Sequence, residues 1–140
     1  MIMIIDVLRF FDDLKEIYYL EKAIEDTTHR RKYILCPGKK FYIGYLESNG
    51  EIIDGQPFLM LRPNVIYQCG DDGSRANDCI LSGGDIALAS YYGVYDGIYE
   101  TVDNVVIQGL TFSSQELFAT ILEAAGDVKF IDCLFKVSRS

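Results

Sequence analysis

Short stretches of alternating apolar and polar residues recur along most of the chain, and four of them open in the same way. Each begins with a small or polar turn residue and then Asn or Asp, at positions 64, 85, 104 and 127, so the copies start 21, 19 and 23 residues apart. One coil of a parallel β-helix uses about twenty residues for three short strands and three bends. The repeat therefore predicts stacked coils with one inward-facing file of Val65, Ile86, Val105 and Val128.

The last two copies match over a longer stretch than the others, with a turn-forming residue, Gly109 or Asp132, in the middle. Stacked coils place equivalent residues above one another at about 4.8 Å. The Asn or Asp that opens each strand can bond to its own backbone or to the coil above. A β-sandwich or another β fold is the alternative. The aligned apolar pairs are Val105 with Val128, Ile107 with Phe130, Leu110 with Cys133 and Phe112 with Phe135.

Residues 6–26 carry the only helical pattern, with apolar side chains at intervals of three and four residues. One helix or two are both open, since Asp12 and Asp13 can start a second segment with Glu16 at capping-box spacing. Glu21 and Glu25 are predicted on the solvent-facing side. The overall prediction is one all-β domain, a short right-handed parallel β-helix, with residues 1–30 as an N-terminal α-helical cap and residues 31–140 as its coils.

The chain is acidic, with 21 Asp and Glu against 13 Lys and Arg and a formal net charge of −8. An acidic surface repels phosphate backbones, so nucleic acid is not an expected partner. The apolar run of residues 1–5 is too short to span a membrane and lacks the flanks of a signal peptide. No cap follows the last predicted strand, which predicts a fragment or a last coil that packs on a partner; the oligomeric state is left open.

Two of the four cysteines, Cys69 and Cys79, bracket a polar loop rich in Gly, Asp and Asn. A disulfide across such a loop is sterically easy and stabilises by roughly 2–3 kcal/mol; two free thiols are the alternative. The bridge favours an extracellular or other oxidising compartment. Cys36 and Cys133 lie on coils several rungs apart and are not expected to pair. With one His and no Cys-x-x-Cys motif, the sequence indicates neither a metal site nor a cofactor.

Several of these stretches together resemble a known family. They are the run from Tyr33 to Pro37, the polar loop between Cys69 and Cys79, the segment 80–85, and the coil Asn-Val-Val-Ile-Gln-Gly-Leu-Thr-Phe at 104–112. Over residues 12–137 they look like the right-handed parallel β-helix, pectin-lyase-like domain proteins, and most of all like uncharacterised β-helix proteins of eukaryotic algae. The resemblance implies the fold but no activity, because many members act on polysaccharides and many others are non-catalytic surface or scaffold domains.

Enzymatic chemistry on such a fold requires carboxylates that converge on one face. A hydrolase needs two or three, and a lyase needs calcium-binding carboxylates with a base. The carboxylates available for hydrolysis are Asp54, Asp85, Asp127 and Asp132, of which Asp85 and Asp127 occupy repeat-equivalent turn positions typical of a structural ladder. The acids of the polar loop do not have the spacing of a calcium loop. The sequence therefore assigns no catalytic residue.

The segment from position 91 to 100 is the least repeat-like part of the chain after residue 60. Its tyrosines and acids can stack on sugar rings or bind a protein partner; the alternative is that the rings pack over the outside of the coils. The predicted function is a non-catalytic β-helical binding or scaffold module for a glycan or protein. A polysaccharide lyase or glycoside hydrolase of the pectin-lyase-like superfamily is the alternative. The candidate binding residues are Tyr91, Tyr92, Tyr95, Asp96 and Tyr99.

Overall fold

The structure is a computed structural model that describes residues 10–45, 47–49, 55–90, 101–114 and 126–137. Within these ranges the protein is strand-rich, with one α-helix, ten strands and a short 3₁₀ turn at Arg75–Asn77. The elements are α1 (Leu14–Lys22), β1 (Arg31–Leu35), β2 (Lys40–Tyr42), β3 (Leu59–Leu61), β4 (Val65–Cys69), β5 (Cys79–Ser82), β6 (Leu88–Ser90), β7 (Val102–Gln108), β8 (Leu110–Ser114), β9 (Gly126–Ile131) and β10 (Leu134–Val137).

The strands β1 to β6 belong in turn to three different sheets, β7 to β10 alternate between the first two, and the pairings between these ten strands are parallel. The first sheet has the order β1-β4-β7-β9, the second β10-β8-β5-β2, and the third β3-β6. A tight turn cannot join parallel neighbours, and here the chain runs through other sheets before it returns to the same one. The prediction of an all-β chain of parallel strands with one helix is confirmed at this level.

The four apolar pairs predicted between the last two copies are neighbours in the structure. They follow from the register of β7 with β9 and of β8 with β10. The bend residues Gly109 and Asp132 both have positive φ, at 75° and 49°, as equivalent turn positions require. The observed neighbours are Val105 and Val128, Ile107 and Phe130, Phe112 and Phe135 and, by continuing the register one residue, Leu110 and Cys133.

The predicted file of four residues is wrong at Ile86. Val65, Val105 and Val128 follow one another across the first sheet, whereas Ile86 precedes β6 of the third sheet and forms an isolated antiparallel bridge. In the first sheet the aligned positions are Arg31, Val65, Val105 and Val128, which lie 34, 40 and 23 residues apart along the chain. A period near twenty therefore holds only for the last pair. The Gly-Asp pair before Ile86 favours a bend, but it does not determine which sheet the next strand joins.

Inward-facing side chains of all three sheets meet in one hydrophobic core. The third sheet is buried on both faces, as the unbroken burial of β3 and β6 shows. In β1, buried and half-buried residues alternate, as expected for a strand with one face on the core. The core includes Leu35, Val65 and Ile107 from the first sheet, Phe41, Leu81 and Phe112 from the second, and Leu59, Leu61 and Leu88 from the third.

Two asparagines form the ladder that the repeat predicts. Asn64 directly precedes β4, and Asn104 lies in β7 just before Val105. Both residues adopt the left-handed conformation, with φ of 65° and 56°. Asn104 Nδ2 donates to Asn64 Oδ1 at 3.0 Å, and Asn64 Nδ2 donates to the Thr27 carbonyl at 2.8 Å. Beside Asp127 the register shifts, because β7 has one residue more than β9 at this point, which is a β-bulge. The ladder is therefore confirmed for Asn64 and Asn104.

The helix is shorter than the pattern over residues 6–26 predicts. α1 begins after Asp13, whose side chain accepts a hydrogen bond from the Lys15 amide at 2.9 Å, and it ends at Lys22. This is the second helical segment that the sequence allows, with Glu16 in its first turn. A short polar side chain at the N-cap satisfies an amide that has no partner inside the helix, which explains why the helix starts here.

The chain that precedes β1 covers the outer edge of that strand. The Phe11 amide donates to the Ile34 carbonyl, and the Cys36 amide donates to the Phe11 carbonyl, both at 2.8 Å. Next to this bridge, α1 buries Leu14 and Ile17 against the core. The β1 end of the sheets is therefore closed by backbone hydrogen bonds and by apolar side chains.

Glu21 is buried, so the prediction that it faces solvent is wrong. Its carboxylate contacts the Arg31 guanidinium through Nη2, accepts from Arg31 Nε at 3.3 Å and accepts from the Tyr33 hydroxyl at 2.7 Å. Burial, with the negative charge of Glu21 beside it, raises the pKa of Tyr33 well above its ordinary value. Both partners belong to β1, so helical periodicity alone could not reveal them.

Candidate functional site

The tyrosine-rich segment predicted as a binding site lies outside the described residues. This holds for all of its candidate residues, Tyr91, Tyr92, Tyr95, Asp96 and Tyr99. Their role in binding stays a prediction.

The predicted cysteine pairing is confirmed. Cys69 and Cys79 lie at disulfide-bonding distance with Cα atoms 5.7 Å apart, while Cys36 and Cys133 are free. The bridge joins the end of β4 to the start of β5. It therefore fixes the bend at which the chain passes from the first sheet to the second.

The loop inside this bridge is held by its own polar groups. Asn77 Nδ2 donates to the Cys69 carbonyl at 3.0 Å and to Asp72 Oδ1 at 2.6 Å. A hydrogen bond from the Ser74 amide, followed by that from Asn77, lowers the pKa of Asp72. Among the described residues, no group of three or more His, Cys, Asp or Glu side chains could hold a metal ion. The described geometry is that of a hydrogen-bonded turn.

The carboxylates considered for polysaccharide hydrolysis do not converge where the structure describes them. Asp127 lies near the start of β9, and Asp132 follows the end of that strand, so about five residues of extended chain, roughly 16 Å, separate them. Asp132 accepts a hydrogen bond from the Arg75 amide at 3.0 Å. Asp85 lies in the bend before β6, in the connection to the third sheet. Asp54 lies outside the described residues.

The β9–β10 end of the first two sheets carries an exposed continuation of the hydrophobic core. We call this surface the open end and define it as β9, β10 and the turn between them. Phe112 is 3% exposed, whereas Phe135, which stacks on it at 4.8 Å, is 50% exposed. The Phe130 ring lies edge-on to Phe135 at 5.3 Å. Ile131 and Leu134 add apolar surface at 43% and 38% exposure.

The outer edges of β9 and β10 are unpaired within the described part of the chain, because each strand is the last of its sheet. The direction of the free backbone groups of β9 follows from one bond. The Gly109 amide donates to the Ile131 carbonyl at 2.9 Å, so Ile131 directs its backbone groups toward the β7 side. Successive residues of a strand alternate in this direction. Val128 and Phe130 therefore direct their amides and carbonyls away from β7.

A groove of about 520 Å³ between the start of α1 and β2 is a second surface that the sequence analysis missed. Asp12, Lys15 and Lys40 line it together with Tyr42, whose side chain is exposed. Tyr42 lies over Gly83, where a Cβ atom would come within 2.9 Å of the ring. The groove brings together acidic and basic side chains from separate elements. The sequence pattern could not predict it, because alternation within β2 indicates only that Lys40 and Tyr42 share a face.

Comparison of the chain with protein-family models, with curated proteins and with solved structures finds no match. The similarity to pectin-lyase-like domains therefore stays an expectation from the sequence. Among the described residues, no helix has the length and apolar character needed to cross a membrane.

Proposed function

We propose that the chain is a short parallel β-helix that acts as a non-catalytic binding or scaffold module and binds a protein partner at its open end. The passage of β1 to β6 through three parallel sheets in turn supports this architecture, as does the core that those sheets share. The architecture is the one implied by the resemblance to right-handed pectin-lyase-like domains.

The observation that carries the proposal is the difference between the two ends of the sheets. At the β1 end, Phe11 occupies the strand edge and α1 covers the core. At the open end, the core positions Phe130 and Phe135 continue to a strand edge without a further paired strand among the described residues. An unpaired edge beside exposed aromatic rings favours strand addition by a partner, in which main-chain hydrogen bonds and apolar contacts form together.

Hydrogen–deuterium exchange at high dilution tests whether this end is open. We expect the amides of Val128 and Phe130 to exchange rapidly and those of Lys129 and Ile131 to be protected by β7. Slow exchange of Val128 and Phe130 in the dilute monomer contradicts the proposal, because it requires that the chain itself covers the edge.

A depolymerisation screen tests the non-catalytic part of the proposal. Acidic and neutral polysaccharides are incubated with the folded protein, and released unsaturated products and new reducing ends are measured. We expect none above the level of heat-denatured protein. Turnover that depends on the folded chain contradicts the proposal and favours a carbohydrate-active enzyme.

A further inference from the structure

Resting on the proposed function, we propose that the partner at the open end is a second copy of this chain, with β9 pairing antiparallel to β9 of that copy across a two-fold axis. A two-fold axis normal to an edge strand presents the same edge to itself in opposite directions. The two copies then continue the first sheet across the interface.

The backbone of β9 permits only a few registers for this pairing. By the alternation of backbone direction along the strand, Gly126, Val128 and Phe130 direct their backbone groups outward, so hydrogen-bonded pairs must be formed by these three residues. Within this strand five registers are possible. They are set by the pairs Val128 with Val128, Val128 with Phe130, Phe130 with Phe130, Gly126 with Val128, and Gly126 with Gly126. Each choice fixes what lies opposite the exposed Lys129.

The charges of β9 select the first of these registers. With Val128 opposite itself, Asp127 of each copy lies opposite Lys129 of the other, which gives two pairs of opposite charge. The second register places Lys129 opposite itself, and the third places it opposite Ile131. The fourth places Asp127 opposite itself, and the fifth places both charged residues opposite positions before the start of β9. Asp127 and Lys129 are both exposed on the outer face, and their pair is the non-hydrogen-bonded kind, in which side chains come closest.

The inner face of the strand is compatible with the same register. Val128 packs against its copy at the axis, and Phe130 lies opposite Gly126. Gly126 presents no side chain to the ring. Apolar contact at the centre and charged pairs beside it therefore arise from one alignment of the two strands.

Two charge-reversal variants test the proposal by sedimentation equilibrium over the micromolar to millimolar range. The wild-type chain is expected to dimerise. Asp127→Lys and Lys129→Asp each replace two opposite-charge pairs by two like-charge pairs, so each variant alone is expected to dimerise about tenfold more weakly or worse. An equimolar mixture of the two restores the opposite charges and is expected to form a heterodimer of near wild-type affinity.

Lys136→Asp on β10 is the matched control, because it changes the net charge as Lys129→Asp does and leaves the β9 pairs intact. It is expected to dimerise as the wild type does. The measurements use about 0.15 M salt, where a screening length of about 8 Å weakens the mutual repulsion of two acidic chains more than contacts within a pair. Far-UV circular dichroism checks that each variant is folded.

The outcomes separate this inference from the proposed function. A wild-type chain that stays monomeric at millimolar concentration while Val128 and Phe130 exchange rapidly overturns self-pairing and leaves the open end available to a different protein. A dimer that Lys129→Asp and Lys136→Asp weaken equally also overturns the proposed register. Protection of both amides in the dilute monomer overturns the open end itself.

Discussion

Replacing Glu21 by Gln is expected to destabilise the protein through the charge that it leaves behind. Gln keeps the size of the side chain and can still accept a hydrogen bond from Tyr33. It cannot neutralise Arg31, whose side chain is 3% exposed. Removing one member of a buried ion pair costs about 3–5 kcal/mol, because the other charge stays buried without its counter-charge.

The surroundings of Arg31 place the expected effect at the lower end of that range. Its Nη1 donates to the carbonyls of Thr27, His29 and Pro63 at 3.2, 2.7 and 2.7 Å, so these dipoles still stabilise the guanidinium in the variant. We expect Glu21→Gln to lower the free energy of unfolding by about 3 kcal/mol, out of the 5–15 kcal/mol that is typical of a domain.

Urea unfolding followed by circular dichroism measures this change as a lower midpoint at an unchanged slope. The exposed Glu25→Gln is the control and is expected to shift stability by less than about 0.5 kcal/mol. In a double-mutant cycle with Arg31→Gln, the double variant is expected to lose little more than either single variant, because both remove the same pair. A loss below about 1 kcal/mol for Glu21→Gln, or additive losses in the cycle, refutes the argument from the buried charge.

Three further predictions concern the disulfide, Tyr33 and Gly109. Replacing Cys69 and Cys79 together by Ala is expected to cost about 2–3 kcal/mol by chain entropy, and reductant in the urea titration should reproduce this loss in the wild type. Folding raises the pKa of Tyr33, so the stability that this tyrosine contributes is fully present below its unfolded pKa of about 10. Above that pH the free energy of unfolding is expected to fall by up to about 1.4 kcal/mol per pH unit. Urea unfolding of the wild type and of Tyr33→Phe at pH 9 to 11 measures this fall, which the variant should lack. Gly109→Ala adds a Cβ atom 2.2 Å from a backbone oxygen at a φ of +75°, and is expected to cost about 2–4 kcal/mol in thermal unfolding. Gly38→Ala, with a φ of +74° and open space, should cost only about 1 kcal/mol.

The alternation of apolar and polar residues predicted the contacts between adjacent strands of the last two repeat copies. The aligned pairs Val105 with Val128 and Phe112 with Phe135 are observed because side-chain alternation fixes which residues face the core and a one-residue slip would expose them all. Ile86 was misplaced because its Gly-Asp opening describes a bend and not the sheet that the bend leads to. The long spacings of the first coils also depend on connections whose length the turn residues do not determine.

The buried ion pair could not be predicted for a different reason. A glutamate at this point of the helical pattern is typical of a solvent-facing position, and its partners Arg31 and Tyr33 on β1 offset the free-energy cost of burying it. Such a pair depends on how two elements dock, which is tertiary information. The uncapped last coil stays a prediction, and the outward direction of the Val128 backbone groups could be read only from the observed hydrogen bond to Ile131.

Apolar contact and charge have separate roles at the open end. The rings of Phe130 and Phe135 gain by losing contact with water, and this gain depends on buried area and hardly on which strand covers them. Apolar surface alone would therefore accept many strands in several registers. The alternation of Asp127 and Lys129 penalises registers that bring like charges together, which is how charge patterns usually set specificity. If the aromatic rings supply most of the affinity and the charges choose the register, truncating Phe135 should weaken every pairing, whereas exchanging the charges should change only which copies pair.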